Sequence, residues 1–244
     1  TIARSGRDIG EIPAVKNPKR RRRCEKSLLA FLETHFQEAF YLAWSDDHLR
    51  VIRQIENICR NGGLKALAMP RGFGKTAIVE RASIWAQLCG LHQMVAMIGP
   101  ESDHAVERIA SVRMIYETND TLLEDFPEVC YPFRRLEGIT QRRLLYRGRP
   151  IRMKLSVDRI ILPDIPGSKA AMSIVGACGI TGQIRGLATT LPGGRIIRPS
   201  FIMCDDPQTE ESANSPSQCT TRAATINKAV LGLVAPGKAI SVFI

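Results

Sequence analysis

Residues 66–76 read Ala66-Leu67-Ala68-Met69-Pro70-Arg71-Gly72-Phe73-Gly74-Lys75-Thr76: an apolar stretch, a glycine-rich turn, then Gly-Lys-Thr leading into residues suited to a helix. This strand–turn–helix joint constrains the fold more than any other feature, because it predicts an α/β unit with the turn at the carboxyl end of a strand. Glycines let backbone N–H groups approach a polyphosphate. A lysine sets a point charge between its terminal phosphates, and a threonine hydroxyl ligates Mg²⁺. A helix predicted from 75 to about 89 adds its positive N-terminal end. ATP is therefore the expected ligand, held by Pro70, Arg71, Gly72, Phe73, Gly74, Lys75 and Thr76. Arg71 lies within a side chain's reach of the phosphates. Met69 stands where the pattern G-x-x-x-x-G-K-[ST] has glycine, so this is a degenerate phosphate loop (P-loop). The competing reading is an ordinary strand-to-helix turn with a surface lysine.

A phosphate loop requires a second acidic site. Phe201-Ile202-Met203-Cys204-Asp205-Asp206-Pro207 is a short apolar strand ending in paired carboxylates, the Walker B arrangement. Asp205, with Thr76, is the expected metal holder. Asp206, one methylene shorter than the glutamate many ATPases use, is the expected base for the attacking water. Asp-Asp-Pro after a buried strand also suits a plain turn.

The 244 residues suffice for one sizeable α/β core. Lys and Arg number 34 against 24 acidic residues, a net charge of +10, which points to a polyanionic partner. No apolar run approaches the ~20 residues of a membrane span. The seven cysteines are scattered without a Cys-x-x-Cys pair and read as reduced, buried hydrophobes. The four histidines show no ligand spacing, so the sequence supports no structural metal site.

Residues 1–24 end in Lys19-Arg20-Arg21-Arg22-Arg23 and are expected to form a basic arm, either DNA-contacting or merely solvated. Apolar residues near helical spacing predict a helix from 25 to about 44. Ser45 is expected to cap a second, over 46 to about 60. A strand over 94–98, a helix from near 102 and a helix from 216 to about 233 follow. The arginine-rich segment 134–154 precedes a β-rich stretch. The apolar end of the chain suggests a piece of a longer protein.

Arg71 in the loop, Gly182-Gln183-Ile184-Arg185-Gly186 ahead of the acidic strand, and Phe201 to Pro207 occur in an order that resembles the ATPase domain of the large terminase subunit, the DNA-packaging motor of tailed phages. The resemblance covers about residues 44–244. It implies that Arg71 senses the γ-phosphate and that Arg185 is an arginine finger for the neighbouring subunit's nucleotide. It also implies that His48 stands in the adenine-contacting segment, where the family usually has Gln. Arg185 also suits a plain surface turn. Implied partners are double-stranded DNA, copies of the same chain in a ring, a portal and a small terminase subunit, with the host-cell cytoplasm as the location. The family's nuclease domain has no counterpart in these residues.

The expected architecture is a three-layer α/β fold of the P-loop NTPase type (ASCE-like), with a mainly parallel sheet flanked by helices, spanning 25–244. Mg²⁺-dependent ATP hydrolysis driving duplex DNA is the expected function. The alternatives are a helicase-like or remodelling DNA-dependent ATPase, and a DNA-binding scaffold that holds nucleotide without turnover. With 6% aromatic residues, the chain offers few platforms for stacking single-stranded bases.

Overall fold

Strands here form where alternate residues can enter two different dry layers. In β3 (Met94–Gly99), Met94, Ala96 and Ile98 pack into one core, Val95 and Met97 into the other. In β11 (Phe201–Cys204), Phe201 and Met203 divide from Ile202 and Cys204 in the same way. Burial on both faces is what a parallel sheet demands, each large apolar side chain contributing roughly 1.5–3 kcal/mol. The computed structural model describes residues 6–67, 69–70, 72–182, 184–191, 193–233 and 240–244, with only the backbone of Ala105 and Arg185.

The main sheet has seven strands in the order β2 (Gly63–Lys65), β12 (Ser241–Phe243), β11, β3, β8 (Ile174–Gly179), β7 (Arg159–Ile161) and β6 (Lys154–Ser156). Neighbours from β2 to β8 pair parallel, whereas β8–β7 and β7–β6 pair antiparallel. The expected α/β architecture, a mainly parallel sheet flanked by helices, is present. Because β12 lies between β2 and β11, the strand before the glycine turn and the strand ending at Asp205 are not neighbours.

One face of the sheet is covered by α3 (Asp46–Asn61), α4 (Lys75–Leu88) and α5 (Ser102–Thr118), backed by α1 (Pro18–Lys26), α2 (Leu28–His35), α6 (Asp120–Asp125) and α7 (Pro127–Arg135). The other face carries a thinner layer. It consists of the 3₁₀ turn Ile184–Leu187 and residues 226–233, through Ile184, Leu187, Val230 and Leu233. The central helix, α4, is buried along most of its length, and Trp85 donates its indole N–H to the Cys24 carbonyl at 2.9 Å. Two small sheets, β1 (Arg7–Asp8) with β4 (Leu144–Tyr146) and β5 (Arg149–Pro150), and β9 (Thr189–Thr190) with β10 (Ile196–Ile197), lie outside the main one. After β11 come α8 (Glu210–Ala213) and α9 (Pro216–Thr225). No helix among the described residues is long and apolar enough to cross a membrane.

Several expectations need correction. Residues 6–24 are not an arm. β1 pairs with β4, Ile9 is buried, and the basic run is helix α1, docked on acidic residues of α6 and α7. Arg20 bonds Asp125 and Glu124, Arg21 bonds Glu128 and Glu25, and Cys24 is buried; only Lys19, Arg22 and Arg23 of the run are exposed. A charge run seen in sequence carries no sign of its partners a hundred residues away. The single helix expected over 25–44 is broken, because the Ser27 hydroxyl accepts from Ala30 N–H and starts α2 afresh, and Phe36 ends it. The helix expected over 216–233 is α-helical only to Thr225 and continues as a π turn and a 3₁₀ turn. Of the strand expected over 66–69, Ala68 lies outside the described residues; the paired strand ahead of the glycine turn comes earlier, at 63–65, with Leu67 N–H reaching the Ile244 carbonyl.

Candidate functional site

The carboxyl ends of β3, β11 and β2 open on one edge of the sheet, and the glycine turn leads there into α4. Gly72 (φ 81°) and Gly74 (φ 71°) occupy the left-handed region, which glycine enters without steric cost. No atom lies within 4 Å of a Cβ placed on either one, so backbone conformation and not space is what calls for glycine. Gly74 caps α4 with no side-chain hydrogen bond, which leaves the first-turn N–H groups available to an anion. Pro70, Gly72, Phe73, Gly74, Lys75 and Thr76 border a cleft of about 800 Å³, a size suited to a nucleotide.

Four of the expected residues meet across the sheet edge. Thr76 Oγ1 donates to Asp205 Oδ2 at 2.7 Å, and Lys75 Nζ donates to Asp206 Oδ1 while lying 3.8 Å from Asp205 Oδ1. Asp206 takes φ 46°, in a left-handed region that a short polar side chain tolerates, and this turns its carboxylate back toward Lys75. Asp205 Oδ1 is buried and accepts no hydrogen bond. An orphaned buried carboxylate oxygen beside a threonine hydroxyl is a fitting donor set for a hard cation such as Mg²⁺, which selects oxygen ligands.

His48 lies beside this turn but is engaged by the protein. Its Nδ1 accepts from the Ser45 backbone N–H at 3.3 Å, so Nε2 carries the proton and donates to the Phe73 carbonyl at 3.0 Å. The imidazole also stacks on Phe73, with centroids 4.6 Å apart. Both nitrogens are thereby used to cap α3 and brace the glycine turn. The ring still lines, with Phe40, Trp44 and Phe73, an apolar cavity of about 340 Å³ next to the cleft.

Two expected residues are described incompletely. Arg71 lies outside the described residues. Arg185 sits on the 3₁₀ turn Ile184–Leu187, which leaves β8 at the same sheet edge, where Ile180 N–H bonds the Gly99 carbonyl; its side chain is outside the described part.

Three site residues were not foreseen from the sequence. Glu80, buried on α4, accepts from Ser111 Oγ at 2.8 Å, and Arg108 on α5 lies 3.5 Å from Asp205. Glu80 was legible in principle, since a residue four after Thr76 shares its helix face. Arg108 and Ser111 depend on how α5 packs, which local sequence does not reveal. The sequence matches no protein-family model and no curated protein.

A second cluster lies apart from the cleft. Cys24, His35 and Asp125 bring their ligand atoms within 4.8 Å of one another, a proximity that spacing along the chain did not suggest. The Arg20 guanidinium already bonds both Asp125 oxygens, at 2.8 Å each. That carboxylate is thus neutralised by a fixed cation, and the cluster is a buried ion-pair anchor for α1. Burial, with Arg20 adding to it, pushes the His35 ring down to about 3.

Proposed function

We propose that this chain is a Mg²⁺-dependent ATPase, the motor domain of a DNA-packaging terminase. The observation carrying the nucleotide reading is the Thr76–Asp205 hydrogen bond with its adjoining orphaned oxygen, at the mouth of a cleft ringed by the glycine turn. The separation of β2 from β11 by β12 supports an ASCE-like P-loop fold.

Each residue then has a task. Backbone N–H groups of the turn and the end of α4 hold the phosphates, and Lys75 exchanges Asp206 for a phosphate oxygen. Freed from Lys75, Asp206 accepts a proton from the attacking water as its oxygen bonds the γ-phosphorus and the bond to the β-phosphate oxygen breaks. Thr76 and Asp205 would hold Mg²⁺, which supplies charge neutralisation at the phosphates. Arg185 acts as the finger across a subunit boundary.

Duplex DNA as the track rests on the terminase resemblance and on basic surface. Arg143, Arg149, Arg152 and Lys154 are exposed and, among the described residues, make no ion pair. Arg134, Arg142 and Arg147 of the same segment are bound to Asp120, Glu137 and Glu11. The resemblance further proposes a homo-oligomeric ring working with a portal and a small terminase subunit in the host cytoplasm.

Phosphate release is the test. Wild-type chain should hydrolyse ATP only with Mg²⁺ and faster with duplex DNA, whereas Lys75→Ala, folded by circular dichroism, should fall to background. Equal rates in the two proteins would remove the assignment.

A further inference from the structure

The two arginines that dock α1 are held by short charge-assisted bonds. Arg20 reaches Asp125 and Glu124 at 2.7–2.8 Å, and Arg21 reaches Glu128 at 2.6 Å. Arg108 is different. Its Nη2 lies 3.5 Å from Asp205 Oδ2 and its Nη1 4.0 Å from Glu80 Oε2, and among the described residues none of its N–H groups donates a hydrogen bond. Charge-assisted bonds form at about 2.7–2.9 Å, so these contacts hold the guanidinium by charge alone and leave its five donors unspent.

Its position is specific. Arg108 borders both the cleft of the glycine turn and the adjoining pocket of about 130 Å³ walled by Met97, Pro100 and Met203. Lys75 and Arg108 flank Asp205 on its two oxygens, Lys75 toward Oδ1 and Arg108 toward Oδ2. Glu80 keeps Arg108 near, and Glu80 is itself held by Ser111, one turn along α5 from Arg108. A planar fork of donors matches two oxygens of one phosphate, a geometry lysine cannot offer.

Resting on the nucleotide reading above, we propose that Arg108 recognises the terminal phosphate and so makes the site distinguish a nucleoside triphosphate from a diphosphate. The glycine turn and the end of α4 serve the phosphates common to both, and Lys75 sits between the β- and γ-phosphates. Arg108 adds donors for the group present only in the triphosphate. If Arg108 merely balanced the charge of Asp205 and Glu80, its loss would weaken both nucleotides alike.

Calorimetric binding of the full chain to Mg²⁺-ADP and to the Mg²⁺ complex of β,γ-imido-ATP, which is not hydrolysed, tests this without turnover. Arg108→Ala should lose about ten- to hundredfold in affinity for the imido-triphosphate, the range for hydrogen bonds to a charged group, with ADP affinity within about twofold of wild type. Arg108→Lys, retaining the charge without the fork, should recover only part of the loss. Should Arg108→Ala fail to fold, Arg108→Gln keeps most of the stem and makes the same measurement. Equal losses for both ligands, or none, would overturn the proposal while leaving the nucleotide site intact. Wild-type chain binding neither ligand would overturn the nucleotide reading and this inference with it.

Discussion

Thr76 Oγ1 donates a 2.7 Å hydrogen bond to Asp205 Oδ2, joining the start of α4 to the end of β11 across 129 positions of chain. The bond occupies one oxygen of Asp205 and leaves the other, buried, with no hydrogen bond and only the Lys75 charge 3.8 Å away. Asp206, one residue on, is mostly exposed and held by Lys75. Adjacent aspartates thus stand in different environments, and this difference is the basis for giving them different tasks.

Asp205→Asn should remove Mg²⁺-dependent nucleotide binding, because the amide cannot supply the anionic ligand. Asp206→Asn should bind Mg²⁺-ATP normally yet turn over about 10²–10⁴-fold more slowly, the usual contribution of a general base. Titrations with and without Mg²⁺, read beside single-turnover rates, separate the two. Identical defects would erase the division of labour.

Arg185→Ala should lower turnover of assembled protein by about 10³-fold or more while single-chain ATP binding stays near wild type. The isolated monomer should be slow for the same reason. Mixing Arg185→Ala chains with Lys75→Ala chains places an intact finger beside an intact pocket and should restore part of the activity. No recovery in demonstrated mixed assemblies would place Arg185 within its own subunit or in a structural role.

Arg20→Ala should destabilise the fold by about 3–5 kcal/mol, since Asp125, with no exposed side-chain surface, would keep a buried charge without its counter-ion. Replacing both, Arg20→Met with Asp125→Leu, should regain most of that loss. Lys19→Ala and Arg22→Ala, both exposed, should shift urea midpoints by no more than about 0.5 kcal/mol equivalent. A comparable effect from all four single and double changes would return α1 to the status of a loosely held arm.

Stability should fall with acid through His35. An unfolded histidine titrates near 6.5, whereas burial and Arg20 push the folded ring down to about 3. Between those values the unfolded chain binds a proton that the folded chain refuses, so unfolding becomes easier as pH drops from about 6.5 toward 3. Each pH unit within that window costs about 1.4 kcal/mol from this ring. Asp125, Arg20 and Cys24 face the same ring and are shared by wild type and variant. Denaturation of His35→Gln from pH 7 to pH 4 should show a visibly shallower loss, and equal slopes would discard the assignment.

What could be read from the sequence was set by near neighbours. Ser45 caps α3 and Gly74 starts α4 because a cap or a left-handed turn depends on a few consecutive residues. The alternation of Met94 to Ile98 between two cores follows from the period of a strand. Tertiary structure alone decided what met across the chain. It placed β12 between β2 and β11, turned Arg20 and Arg21 from an expected arm into partners of α6 and α7, spent both nitrogens of His48 on Ser45 and Phe73, and set Arg108 beside Asp205. The physical reason is the range of the forces. Propensity and periodicity act along a few turns of backbone, whereas ion pairing and burial act between surfaces that become neighbours only when the sheet order is chosen, and no local residue pattern encodes that order.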